Sequence, residues 1–473
     1  MIMRKTKIIC TIGPASESEE MITKLCLAGM NVARLNFSHG NHEEHLKRIN
    51  TIKKVREQLH LPIAIMLDTK GPEFRIGTFK NGKINLQEGS KFTFTTEKVE
   101  GDESIVSVSY KNLAKEMNPG DTILVNNGLL AFKVLGTDGK RIETEVVSGG
   151  EMSDRKSMAF PGKHIKQKYL SEQDKKDILF GAENDVDFIA CSFVSVKQDL
   201  LDIKELLDSH GYGKTATLIA KIENQSGVDN IQEICEACDG IMVARGDMGV
   251  EVPLEQLPAI QKNLIEICRK TGKRAIVATE MLESMIHSPR PTRAEASDVA
   301  NAVFDGTSAV MLSGETAAGS YPEQAVMTMA KIVAETEKNI NYAKRFHNYE
   351  FHINSDVDAI SHATCGMAID LRAKAIVACT LSGRTARMVS RFRSPVDIIG
   401  MTTDEKTWRS LALSWGVTPR MCERFNSTDV LFYTAKNVAR DVFALQPGGN
   451  IIITGGVTNG QSGNTNLIKI ETL

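Results

Sequence analysis

The chain lacks the marks of several large protein classes. No run of about 18 consecutive apolar residues occurs, the least that a helix needs to span a bilayer, although 42% of the 473 residues are hydrophobic. No block of Lys and Arg occurs either, and 57 basic against 59 acidic residues leave a formal net charge of −2. That balance argues against nucleic acid or an acidic membrane as the main partner. Small anionic metabolites stay open, because a few converging cations hold them without changing the total. The opening Met1-Ile2-Met3-Arg4-Lys5-Thr6-Lys7 turns directly into an apolar segment containing Cys10. It has neither the length nor the small-residue cleavage site of a secretory signal, so a cytoplasmic protein is expected.

Other absences narrow the chemistry. Nine cysteines, odd in number and scattered, read as reduced thiols. Cys235 and Cys238 form a C-x-x-C pair, but no second pair or nearby His completes four zinc ligands. Two core thiols on a helix are expected. His42 and His45, in Ser38-His39-Gly40-Asn41-His42-Glu43-Glu44-His45, are expected as solvated first-turn residues of a helix capped by Asn41. No G-x-x-x-x-G-K-[ST] occurs, so any nucleotide is not held by a P-loop. No Ser-His-Asp logic is evident.

What is present is a repeated unit: a short, almost continuously apolar run, a polar turn, then a helix-length amphipathic segment. Eight runs stand out, at 8–12, 31–37, 63–68, 188–194, 218–223, 240–247, 275–280 and 309–313. Runs apolar on both faces belong in a parallel sheet covered by helices, and eight such units predict a (β/α)8 TIM barrel. The third and fourth runs are too far apart for one helix. Residues 71–165 between them alternate polar and apolar, as in Phe92-Thr93-Phe94-Thr95, Ile105-Val106-Ser107-Val108, Thr122-Ile123-Leu124-Val125 and Glu143-Thr144-Glu145-Val146. They read as an inserted all-β lid domain with joints at Lys70-Gly71-Pro72 and Phe160-Pro161-Gly162. Residues 1–70 and 166–345 form the catalytic barrel. Residues 346–473 form a C-terminal α/β domain, with a helix over 358–371 and strands at 375–379, 398–401 and 451–454.

Barrel chemistry gathers at the carboxyl ends of the strands, and these ends are polar. Arg34, Asn36 and Ser38 share a face by the two-residue period; Lys221 and Glu223 form a second such pair. Asp68-Thr69 and Arg245-Gly246-Asp247 end two more runs. Glu223 and Asp247 aim at one mouth, at roughly 5 Å, where two carboxylates repel by roughly 3 kcal/mol at an effective dielectric of about 20. A divalent cation relieves this, and oxygen ligands favour Mg2+ or Mn2+ over zinc. Lys221, Arg34 and Arg75 add positive charge, which suits a small phosphorylated acid. Gly246 lets backbone approach closely, and Asp247-Met248-Gly249-Val250 is expected to start a short helix whose amides are placed to hold a carboxylate. Thr279 offers a hydroxyl at the seventh strand end. Positioning and electrostatics, the mode of phosphoryl transfer, fit better than covalent catalysis. In the third domain, the loop of Thr380, Ser382 and Gly383 opens a helix carrying Arg384, Thr385 and Arg387, an anion site at a helix N-terminus.

These residues stand in motifs. Arg-Leu-Asn-Phe-Ser-His-Gly (34–40), Leu-Asp-Thr-Lys-Gly-Pro-Glu (67–73), Lys-Ile-Glu-Asn (221–224), Ala-Arg-Gly-Asp-Met-Gly-Val-Glu (244–251), Ser-Pro-Arg-Pro-Thr-Arg-Ala-Glu-Ala (288–296) and Met-Leu-Ser-Gly-Glu-Thr (311–316) together resemble the pyruvate kinase family, across the whole chain and in order. The resemblance implies transfer of the phosphoryl group of phosphoenolpyruvate to ADP, giving pyruvate and ATP in the last step of glycolysis. It implies Mg2+ (or Mn2+) on Glu223 and Asp247, and K+ among Asn36, Ser38, Asp68 and Thr69. Arg34 would grip the phosphate, Gly246 and Asp247 the carboxylate, and Lys221 the phosphoryl group in flight. Thr279 would sit near the enolate. Asn36, Phe37, Ser38, His39, Arg75 and Lys156 would meet the nucleotide. Glu73 is the family's companion of a K+ requirement, where Lys dispenses with it. A phosphorylated effector in the loop of the third domain, and a homotetramer, are also implied.

Three positions depart from the family pattern. Ser288 replaces an Asn, and Ser157-Met158-Ala159-Phe160 replaces Gly-Val-Asn-Leu after Lys156. Glu280 replaces a Gln, and it either alters metal or pH behaviour or points into the helix shell. Two rival readings fit less well. A metal-dependent barrel aldolase or lyase would share Glu223 and Asp247 but needs no nucleotide lid. A non-catalytic sensor would lack Lys221 or a metal carboxylate.

Overall fold

The computed structural model describes residues 4–163, 165–213, 215–425, 427–456 and 465–473. Eight parallel strands close into a barrel: Lys7–Thr11, Val32–Asn36, Ala64–Asp68, Phe188–Cys191, Thr217–Ile222, Gly240–Ala244, Arg274–Ala278 and Ala309–Leu312. They lie side by side in chain order, and the first closes on the eighth with Lys7 beside Ala309. Only Asn36 and Thr217 are not fully buried. The reason for the continuous apolar runs is visible in the packing. Ile9, Met66, Phe188, Ile219, Met242 and Ile276 fill the interior, while the alternate residues Ile8, Ile65, Leu218, Ile241 and Val277 pack under the helices. Each such side chain contributes about 1.5–3 kcal/mol by leaving water.

The joints of the insert are pinned to the barrel. Gly71 has φ of +70°, and a Cβ there would sit 2.8 Å from Ser192 Cβ, so only glycine fits without movement. Its N–H donates to Asp174 Oδ1 at 3.0 Å. Between the joints lies a seven-stranded sheet with its own core of Phe92, Phe94, Phe132, Ile123 and Ile142. The four expected strands are present, as Lys91–Thr95, Ile105–Ser107, Thr122–Val125 and Arg141–Ser148. Leu130–Thr137 and short strands at Phe74–Arg75 and Ser157–Ala159 complete the sheet, and Lys83–Leu86 pairs apart with Gly150–Ser153.

Beyond the barrel, the strands Ala375–Cys379, Ile398–Thr402, Val417–Met421 and Asn450–Gly455 run parallel, and Leu467–Thr472 closes one edge antiparallel. A helix spans Asp356–Asp370, capped by Ser355. Leu413 from this region joins the barrel-interior cluster, so the third region plugs the barrel at the end opposite the polar strand ends.

Candidate active site at the carboxyl ends of the barrel strands

The second strand delivers Arg34, fully in the interior. Its Nε meets Asp68 Oδ2 at 2.6 Å and its Nη1 donates to Thr11 Oγ1 at 2.9 Å. Register explains the pairing, because the second and third strands run in step with Asn36 opposite Asp68. The fifth strand delivers Lys221, whose Nζ lies 3.0 Å from Asp68 Oδ1 and 2.9 Å from Glu223 Oε1, and donates to Ser192 Oγ at 2.7 Å. Arg34, Asp68, Lys221 and Glu223 thus form one buried cluster. Burial alone would raise Asp68, but Arg34 and Lys221 outweigh it and hold the carboxyl below its ordinary range. Burial would lower Lys221, yet Asp68 and Glu223 lift it above its ordinary value. Glu223 is different: burial pushes it up to about 7 against the pull of Lys221, and the Asp247 charge raises it further.

Glu223 Oε2 accepts from the Phe193 N–H at 2.7 Å, while Oε1 faces Lys221 as an ion pair and has no directed hydrogen bond among the described residues. Asp247 is exposed, in the short helix Arg245–Glu251. A buried carboxylate oxygen open to a ligand, beside a second carboxylate, fits a hard cation that takes one or two protein carboxylates and completes its shell with substrate and water. Among the described residues no group of three or more His, Cys, Asp and Glu could hold a metal by itself.

The helix carrying Gly246 and Asp247 begins one residue after the sixth strand, at Arg245, earlier than expected. The Gly246 N–H donates to Thr279 Oγ1 at 2.8 Å, and that hydroxyl donates to Ala278 O at 2.6 Å. Thr279 has φ of 68°, a strained conformation for a β-branched residue. Arg245 holds it there: its guanidinium donates to the carbonyls of Thr279 and Ala278 while paired with Asp298 at 2.6 Å. Glu280 is exposed at this rim rather than turned into the helix shell.

On the opposite rim, Asn36 Oδ1 accepts from Ser38 N at 3.1 Å, and His39 N donates to Asn36 O. Thr69 Oγ1 accepts from Ser192 N at 3.1 Å, and Asn36 stands opposite Asp68 with Phe37 N donating to Asp68 O at 2.9 Å, which brings the ends of the second and third strands together. His45 departs from expectation. It is buried, stacked on Phe37 at 3.9 Å, with Nε2 on His39 O at 2.9 Å; the ring supports the 36–39 turn instead of facing water. His42 is part-exposed but bonds Asp177 at 2.6 Å. Cys235 and Cys238 are buried free thiols.

Arg75 lies in the insert, clamped by Glu73 (2.7 and 2.9 Å) and donating to Arg155 O. Lys156 O accepts from Ile76 N, and the Lys156 side chain makes no ion pair among the described residues. The third-region loop is divided. Gly383 caps the helix Arg384–Arg391 with φ of +77°, and Thr385 is buried with Oγ1 2.7 Å from Thr465 Oγ1. Thr380 is buried, whereas Ser382 and Arg384 are exposed. Arg387 turns away and pairs with Asp239 of the barrel at 3.1 Å.

Two residues escaped the sequence reading. Ser192 touches Lys221, Asp68 and Thr69 O, and Arg245 fixes Thr279. Ser192 lies inside the fourth run, where a lone serine carries no pattern. Arg245 marks a polar strand end, but no local pattern shows that its guanidinium reaches the carbonyls at the end of the next strand.

A closed barrel with a buried lysine–carboxylate cluster at its carboxyl mouth, beneath an inserted sheet, defines a (β/α)8 enzyme for a small anionic substrate. Family models for the pyruvate kinase barrel domain and alpha/beta domain match residues 3–326 and 358–471. A pyruvate kinase of Clostridium perfringens is 47% identical, with 99% of this chain and all of that one covered. One of Staphylococcus epidermidis is 48% identical over 99% of this chain and 80% of that protein. The crystal structure of a pyruvate kinase from Cryptosporidium parvum superposes with a TM-score of 0.94 at 37% identity, covering 99% and 96% of the two chains. The chain belongs to the pyruvate kinase family.

Proposed function

We propose that this chain moves the phosphoryl group of phosphoenolpyruvate to ADP at the mouth bounded by Lys221, Arg34 and Glu223. The observation that carries the reading is Lys221, an ammonium kept charged inside the barrel by Asp68 and Glu223. A fixed cation without bulk water stabilises charge that develops on a transferring phosphoryl group. Arg34 grips the phosphate, and the amides of Gly246 and Asp247 receive the carboxylate once the Gly246 N–H leaves Thr279 Oγ1. Thr279, freed by that exchange, helps a proton reach the enolate carbon.

Glu223 and Asp247 are the carboxylates for Mg2+ (or Mn2+), which when bound neutralises phosphate charge and orients the substrate. Glu223 must lose its proton first. Asn36, Ser38, Asp68 and Thr69 would hold K+, whose charge would add to that of Lys221 and Arg34 beside the substrate. Phe37 and His39 with Asn36 and Ser38 border the nucleotide, and Arg75 and Lys156 bring the insert to its phosphates as the lid closes. The divisions at residues 70, 165 and 345 separate barrel, lid and regulatory region. A phosphorylated effector at Thr380, Ser382, Gly383, Arg384 and Thr385 fits the helix N-terminus; Arg387, paired with Asp239, is the weakest member of that set. A homotetramer in the cytoplasm completes the reading, and no helix among the described residues is long and apolar enough to cross a membrane. The direct test incubates the protein with Mg2+, K+, ADP and phosphoenolpyruvate. Formation of pyruvate and ATP in equal amounts is expected, and their absence would defeat the proposal.

A further inference from the structure

The barrel end opposite the active site holds a second concentration of charge. A narrow crevice that opens to solvent is lined by Lys273, Arg274, Arg387, Arg391, Arg393 and Ser414 among others, and no carboxylate lines it. Two of these cations have acidic partners outside the crevice: Arg387 with Asp239 at 3.1 Å and Arg391 with Asp358 at 3.2 Å. Lys273 donates to Cys238 O, and Arg393 to the carbonyls of Gly306 and Ser390. Arg274 has less. Only 4% exposed, it spends Nη2 on Ser410 O at 3.1 Å, while Nε and Nη1 have no hydrogen-bond partner among the described residues. Ser414 Oγ, also buried, is without one too.

Buried donors left unmatched are costly, and charged ones most of all. The field is only partly compensated: burial, then the charge of Arg387, pushes Arg274 down to about 9 against the pull of Asp239, and burial pushes Arg393 down to about 9. A guanidinium does not shed its proton near neutral pH even so, and its planar fork matches an oxyanion. Arg387, about a quarter exposed, is the wall free to turn inward from Asp239.

We propose that this crevice between the barrel floor and the C-terminal region is a binding site for a small inorganic oxyanion, held by Arg274, Arg387 and Ser414. The site is distinct from the Thr380–Thr385 loop, because Arg387 points from that helix to the barrel.

The test is calorimetric titration of inorganic phosphate, in saturating ADP to fill the nucleotide position at Arg75 and Lys156, into the full chain carrying Arg34→Ala and Ser382→Ala, which weaken the substrate and effector phosphate positions. One remaining site is expected. Adding Arg274→Met should weaken it by about tenfold or more, the loss of charge-assisted hydrogen bonds. If circular dichroism shows that Arg274→Met does not fold, Arg387→Met and Ser414→Ala are read in its place, each with a weakening of about fivefold. Absence of binding in the double-variant background overturns the proposal. So does binding that neither the Arg274 variant nor the other two alter.

Discussion

The two ends of the barrel handle buried charge in opposite ways. At the carboxyl mouth Arg34 and Lys221 face Asp68 and Glu223, and each cation has an acid within 3.0 Å. At the floor, Arg409 has such partners in Asp187 and Asp185, but Arg274 and Arg393 rest on carbonyls, a hydroxyl and the ring faces of Phe188 and Trp415, with no acid in contact. The consequence shows in protonation. Asp68 is held down and Lys221 up, so that pair at the mouth stays charged while Glu223 beside it is lifted to about 7, whereas the floor arginines are pushed below their ordinary value. Mutual pairing makes the mouth a preorganised site, in which a substrate phosphate exchanges one partner for another. The floor is a site of surplus.

The largest break in that comparison comes from Lys221→Met. It removes the charge that answers both Asp68 and Glu223, and kcat should fall by about a thousandfold or more. Steady-state assays at saturating substrate, with circular dichroism as the check on folding, measure it. A loss of similar size from Arg274→Met would erase the distinction between the two ends.

Removing K+ comes next. With Asn36, Ser38, Asp68 and Thr69 lacking their cation, activity should drop by about tenfold or more, since one unit charge at contact distance is worth several kcal/mol at an effective dielectric of about 20. Glu73→Lys should blunt the dependence while releasing Arg75 from its clamp. Full wild-type activity in K+-free buffer would remove K+ from the mechanism.

Ser192→Ala is milder. It deletes an acceptor for Lys221 and a donor to Asp68 and Thr69 O, worth about 1 kcal/mol or roughly fivefold in kcat/KM. An unchanged value would mean that Asp68 and Glu223 alone position Lys221.

Much of this architecture was legible because barrel strands are buried on both faces, which writes them as apolar runs ending in charge. Lys221 pairs with Glu223 as the two-residue period implied, whereas Arg34 pairs across to Asp68 on the next strand, a partner that period does not give. Harder to read were strands without that signature. Val417–Met421 contains Pro419, which argues against a strand, yet it lies at a sheet edge where proline is tolerated. Phe74–Arg75 is two residues long. His45 looked solvated beside Glu43 and Glu44, and only the fold brings Phe37 over its ring. Long-range partners also have no local trace: Ser192 meets Asp68 at a separation of 124 residues that includes the whole insert, and Arg387 leaves its loop for the barrel.

The contact between insert and barrel offers the smallest and most pH-specific test. Glu251 Oε1 accepts from the Phe160 N–H at 3.3 Å, where the insert returns to the barrel. Burial lifts this carboxyl to about 7, against the help of Phe160, and Asp247 lifts it further. Glu73, Asp199, Lys163 and Lys166 line the same cleft, with Lys163 occupied by Asp121 at 2.7 Å. A carboxyl whose folded value exceeds its ordinary 4.5 favours the protonated fold. Its contribution is therefore full below about 4.5 and is lost as pH rises through about 7. A shift of that size corresponds to about 3 kcal/mol, and water reaching the half-buried group reduces it to about 1–2 kcal/mol. Glu251→Gln cannot ionise, so it should melt about 1–3 °C above the wild type at pH 8 and level with it at pH 5. Thermal melts of both proteins across that range decide the matter, and a difference independent of pH would show that the ionisation of Glu251 does not govern how the insert is held.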